Sequence, residues 1–171
     1  MALSLGSLIA FIGLRMNAKK LSFGGLQKLK ELEGSVRGTS GLHIPYKDSA
    51  DLWTIGYGHL IKENEDFGEG IPDDQADALL AHDVKVAENV INANVKVPLT
   101  QNEFDALVMF TFNVGNNAFK NSTLLRKLNA GDKQGAADEL LRWTKITLNG
   151  EKINSAGLAY RRDVERDYFL A

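Results

Sequence analysis

The chain has 171 residues, 44% of them apolar and 25% charged, which is long enough and apolar enough for a packed globular core. A net charge of -2 provides no overall basic field for nucleic acid. The absence of cysteine excludes disulfides, thiolate metal sites and cysteine nucleophiles. Charge is uneven along the chain: residues 63–83 are acid-rich, and residues 120–166 carry many Lys and Arg.

Residues 1–14 are apolar apart from Ser and Gly, and Arg15, Lys19 and Lys20 follow them. A secretory signal places its positive charges before the apolar run, and a spanning helix needs ~20 residues. Residues 1–20 are therefore read as an apolar N-terminal extension, by default a terminal helix packed on the body, with a membrane-surface or signal-anchor role as the alternative. Leu26, Leu29 and Leu32 recur at helical spacing after Ser22, which predicts a helix over residues 22–31. Gly34, Gly38 and Gly41 break the pattern, and residues 35–40 read as a loop.

Residues 42–60 read as a small antiparallel sheet, with a polar turn at residues 47–51 between two extended runs. Residues 62–70 form a polar loop. Pro72, Asp73 and Asp74 suit the start of a long helix with Ala76, Leu79, Leu80, Val84, Ala87, Val90 and Ile91 on one face. Thr100-Gln101-Asn102-Glu103 is a capping box opening a helix over residues 101–113, with 114–117 as its exit. Further helices are predicted over 123–130, 134–144 and 158–169. The fold class expected is α+β: a small lobe with a short antiparallel sheet and a mostly helical lobe, joined by a long helix. Residues 21–171 would form one catalytic domain, with a cleft suited to an extended polymer.

Glycoside hydrolysis needs two carboxyl groups flanking the scissile bond, one protonated and one ionised. Glu33 lies at the end of a helix carrying apolar Leu29 and Leu32, a setting that favours a protonated acid. Asp48 lies in the polar turn, a setting for an ionised carboxylate, and Thr54 on the following strand is placed to hold a water near it. This division of labour follows the lysozyme pattern. Any one of the 22 Asp and Glu residues is by default a solvated surface group, so the surrounding strings matter.

Glu33-Gly34, Pro45-Tyr46-Lys47-Asp48-Ser49-Ala50 and Trp53-Thr54-Ile55-Gly56-Tyr57-Gly58-His59-Leu60 resemble the signature of the phage-type lysozymes (endolysins), glycoside hydrolase family 24. Leu99 to Leu107, Phe112-Asn113-Val114-Gly115, Ser122 to Asn129, Arg142-Trp143, and Gly157-Leu158 with Arg161-Arg162 resemble the same family in the same order. The resemblance implies hydrolysis of the β-1,4 bond between N-acetylmuramic acid and N-acetylglucosamine in bacterial peptidoglycan, for host lysis. It places the catalytic roles on Glu33, Asp48 and Thr54, and substrate contacts on Tyr46 and Asn113. It implies a monomer without metal or cofactor, made in the host cytoplasm and acting on the wall in the periplasm.

Two departures stand out. The segment between Glu33 and Asp48 is about six residues longer than is usual in the family, and an ungapped alignment places Thr39 at the acid. Glu33 is retained because the surplus can loop out and a threonine cannot donate a proton near neutral pH. Asp51 occupies a turn position where the family usually has Gly, and Asp tolerates positive φ better than most residues.

His59 is read as a structural hydrogen-bonding residue. Trp53 and Trp143 read as core aromatics before sugar platforms, and Arg161 and Arg162 as salt-bridge partners or contacts to wall carboxylates. His43, His59 and His82 are too scattered for a zinc amidase or peptidase. A lytic transglycosylase, or a non-catalytic wall- or membrane-binding protein, is the alternative function.

Overall fold

A computed structural model describes residues 18–48, 51–148 and 150–171. The apolar residues 1–14, and Ser49 and Ala50 of the predicted turn, lie outside the described residues.

Helix α1 (Phe23–Glu33) starts where Ser22 predicts: the Ser22 hydroxyl accepts the Gly25 N–H at 3.0 Å. The cap is anchored from the core, because Asp105 accepts both the Ser22 N–H, at 3.0 Å, and its hydroxyl. Asp105 is fully buried and belongs to α3 (Gln101–Val114). The helix runs two residues further than the periodicity suggests and stops at Gly34, so Glu33 is its last residue.

The residues after Glu33 are more ordered than a loop. Ile44 N–H donates to Val36 O at 3.1 Å and Gly38 N–H to Leu42 O at 3.0 Å, which folds the surplus segment into a tight hairpin. His43 and Ile71 exchange backbone hydrogen bonds at 2.9 and 2.8 Å. Asp73 binds the buried His43 Nε2 at 2.9 Å and Arg37 at 2.7 Å, fastening the hairpin to the start of α2 (Asp73–Asn94). The approach is close enough that a Cβ on Gly70 would lie 2.5 Å from the His43 carbonyl oxygen.

The small sheet has three strands, β1 (Tyr46–Lys47), β2 (Trp53–Ile55) and β3 (His59–Leu60), antiparallel and in that order. Tyr46 pairs with Thr54, and Ile55 with His59. The expected second run is split, because Gly56 and Gly58 have φ of 61° and 89° and form a reverse turn instead of continuing the strand. Asp51 has φ 62°, the left-handed state for which a glycine would otherwise be used.

The 22-residue α2 leads to the helical lobe. Its predicted apolar face is buried at Ala76, Leu80, Val84, Ala87 and Ile91 and half-buried at Leu79 and Val90. At the centre lies α3, opened by the predicted capping box and buried continuously from Glu103 to Thr111. A helix with no solvent face is one that its neighbours enclose. Against it pack α1, α2, α4 (Asn116–Lys120) and α7 (Ala156–Leu170), while α5 (Thr123–Asn129) and α6 (Lys133–Leu140) pack on each other, with α6 also against α7. Two elements differ from expectation. The predicted exit 114–117 turns directly into α4. The helix expected over 134–144 ends at Leu140, and a hairpin of β4 (Lys145–Leu148) and β5 (Glu151–Asn154) follows.

His59 ties the sheet to α2. It is buried, with Nδ1 2.7 Å from Asp83 and Nε2 3.0 Å from Glu65. Two carboxylates that only accept require both ring nitrogens to donate, which is the imidazolium form. Burial is the largest single influence and works against the charge, but the two carboxylates outweigh it and hold the His59 pKa above its ordinary value. A raised folded-state pKa stabilises fully below the unfolded value of ~6.5, and the contribution is lost as pH rises through the folded value. The thermal midpoint, followed by circular dichroism, is therefore expected to fall as pH is raised above ~6.5 through that folded value. Asp83→Asn should flatten this fall, and an equal slope in the variant would contradict the assignment.

Candidate active site

The helix end, the sheet and α7 converge on Glu33. Its carboxylate is mostly buried, and Arg161 Nη2 on α7 donates to Oε1 at 2.7 Å. A Cβ on Gly58 would stand 3.5 Å from Glu33 Oε2, so the β2–β3 turn lies directly against the acid. The setting expected for Glu33 was apolar. The structure instead provides a guanidinium partner.

Tyr46 on β1 links Glu33 to Asp48. Its phenol is pushed above the ordinary tyrosine value, first by burial and then by the Glu33 and Asp48 carboxylates. Asp48 and Thr54 both hold the backbone of Leu52, through the peptide units on its two sides. Asp48 Oδ1 accepts the Leu52 N–H at 3.0 Å, and the buried Thr54 hydroxyl donates to Leu52 O at 3.1 Å. With its proton engaged, the Thr54 oxygen still has acceptor capacity.

Behind Glu33 runs a chain of alternating charges. Arg161 also donates to Glu165 Oε1 at 2.9 Å and to Met109 O at 3.2 Å. The second oxygen of Glu165 lies 3.2 Å from Arg162 Nε, within ion-pair range though off the hydrogen-bond axis. Arg162 is fully buried with its guanidinium 5.1 Å from the centre of the Phe110 ring, and its Nη2 donates to Asn113 Oδ1 at 2.5 Å. Burial lowers the Arg162 pKa to about 10, still charged at neutral pH. Burial likewise raises the Glu165 carboxyl, and Arg162 and Arg161 oppose that shift.

Sequence reasoning left Arg161 and Arg162 open between salt bridges and wall contacts, and did not single out Glu165. The signal was their spacing: on a helix, residues three and four apart share a face, so Glu165 can reach both arginines. The aromatics divide. Trp143 packs edge-on against Phe110 at 5.4 Å, whereas Trp53 is exposed with the Lys47 ammonium 5.6 Å from its ring centre.

The sequence and the overall fold are shared with known proteins. The profile of the phage lysozyme family matches residues 38–165. The chain belongs to the phage lysozyme family. It is 43% identical to the endolysin of Acyrthosiphon pisum secondary endosymbiont phage 1, over 78% of this chain and 91% of that one. It is 38% identical to the SAR-endolysin of Enterobacteria phage PA-2, over 75% of this chain and 74% of that one. Among solved structures, the endolysin from Escherichia coli O157:H7 phage FAHEc1 superposes with a TM-score of 0.80 at 40% identity, covering 89% of this chain and 94% of that one. Glu33 precedes the residues matched by the profile.

Removing one partner of a buried ion pair leaves the other charge uncompensated and costs about 3–5 kcal/mol. Arg161→Met is expected to destabilise by that amount in urea unfolding. Arg166→Met, whose pair with Asp138 is at the surface, should cost less than about 1 kcal/mol. Equal losses would mean that the Arg161 network adds nothing beyond a surface pair.

Proposed function

We propose that this phage-lysozyme-family chain is an endolysin that hydrolyses the β-1,4 bond between N-acetylmuramic acid and N-acetylglucosamine in bacterial peptidoglycan. The observation that carries the reading is the meeting of Glu33, at the end of α1, with the small sheet that bears Tyr46, Asp48 and Thr54. Glu33 is the general acid that protonates the departing glycosidic oxygen. Asp48 stays ionised opposite it, and with Thr54 holds the attacking water or stabilises the developing positive charge. Tyr46 and Asn113 contact the sugar. Residues 21–171 form the catalytic domain and act as a monomer without metal or cofactor.

The protein is made in the host cytoplasm and works on the wall in the periplasm. Relatives named SAR-endolysins and the apolar residues 1–14 support a membrane-associated route for residues 1–20. Among the described residues, no helix is long and apolar enough to cross a membrane.

General acid catalysis contributes ~10²–10⁴-fold in rate, so Glu33→Gln should lose activity on purified peptidoglycan by about that factor while circular dichroism shows a folded protein. Asp48→Asn should also be impaired, and Thr39→Ala should match the parent. Products should carry reducing muramyl ends. Anhydro-muramyl ends would identify a lytic transglycosylase, and a folded, fully active Glu33→Gln would place the acid elsewhere.

A further inference from the structure

Asn113 is an exposed residue near the end of α3, yet its amide is held from inside the protein. The Arg162 guanidinium that reaches it is fully buried. A guanidinium has donors only, so the amide oxygen must face Arg162 and the amide NH₂ is turned away from it. Reversing the amide would set two donors against each other beside a charge that has no other place to go.

Asn113 lines a cavity of about 500 Å³ together with Arg142, Trp143, Lys145 and Lys152. Among the described residues, no Asp or Glu lines it. Among the described residues Lys145 and Lys152 make no side-chain hydrogen bond or ion pair, and Arg142 reaches Glu139 only at 3.4 Å. The polar side chains around this space are therefore all donors: an amide NH₂, a guanidinium, an indole N–H and two ammonium groups. Had the Asn113 oxygen faced outward, it would have been the one acceptor among them.

We propose that Arg162 is a positioning residue that fixes the Asn113 amide donor-outward, so that this cavity binds acceptor oxygens of the substrate. The proposal rests on the peptidoglycan reading above and extends it to how the wall polymer is gripped. Of the acceptor oxygens in that polymer, the strongest are the N-acetyl carbonyl of the glycan and the carboxylates of its attached peptide.

Asn113→Asp separates the two faces of the side chain. A carboxylate keeps the bond to Arg162 and strengthens it through charge, but it presents an acceptor where the NH₂ stood. The variant should remain folded with a thermal midpoint no lower than the parent's, while KM for peptidoglycan rises about tenfold and kcat changes far less. Loss of a merely structural contact would lower the midpoint instead. The source of the oxygen is read by repeating the assay on glycan strands freed of peptide. A KM effect that persists points to the N-acetyl carbonyl. An effect confined to peptide-bearing strands, and shared by Lys145→Gln and Lys152→Gln, points to carboxylates.

Arg162 is tested in the same assay. Arg162→Lys keeps a donor on the amide oxygen and should stay near the parental KM, whereas Arg162→Gln should raise it. If Arg162→Gln does not fold, the second reading is the ¹⁵N spectrum of the parent protein. The Asn113 side-chain NH₂ signals should shift on titration with an N-acetylglucosamine oligomer or with a carboxylate-bearing wall peptide. A folded Asn113→Asp with parental KM on both substrates, or NH₂ signals unmoved by both ligands, overturns the proposal. A parent protein that releases no reducing ends overturns the peptidoglycan reading instead, so the two failures are distinct.

Discussion

The pairing of Glu33 with Arg161 is the contact around which the rest of the site is arranged. It joins the last residue of α1 to α7 across 128 residues of sequence. Such a pair, largely removed from water, holds only if its other hydrogen-bonding capacity is met. Arg161 meets it with Glu165 and the Met109 carbonyl; behind it Glu165 stands within ion-pair range of Arg162, and Arg162 donates to Asn113. One row of alternating charges thus runs from the proposed acid to the proposed sugar-binding amide, and α7 holds both ends.

The rest of the fold gives that row fixed surroundings. Helix α3 is enclosed and cannot shift without opening the core. Asp105 on α3 anchors the start of α1, and Arg161 from α7 holds its end, so Glu33 is fixed from both directions. The sheet is tied separately, through His59 to Asp83 on α2 and through the Asp73 clasp on the inserted hairpin. The hairpin therefore folds the segment between Glu33 and β1 compactly and fastens it to the start of α2.

Local rules made much of this legible. Ser22 and Thr100 announced helix starts because a side-chain oxygen must satisfy a free N–H, and both do so. Asp51 was flagged as a residue standing in for Gly, and its φ is 62°. What escaped was set by long-range pairing or by weak burial. The β4–β5 hairpin is exposed along both strands, so no alternation of apolar and polar residues marks it. Its one local signal was Asn149-Gly150, the dipeptide best suited to a tight hairpin turn. The family strings pointed to Glu33 only with a longer segment before Asp48, and no local pattern says that Arg161 and not an apolar wall stands beside it.

The most direct measurement is a crystal structure of the Glu33→Gln variant with an uncleaved peptidoglycan fragment. The mechanism predicts a scissile glycosidic oxygen within hydrogen-bond reach, ~2.6–3.2 Å, of the residue 33 side chain, with Asp48 and Thr54 on the opposite side of the sugar. A fragment whose scissile oxygen lies beside Thr39, away from the end of α1, would contradict it.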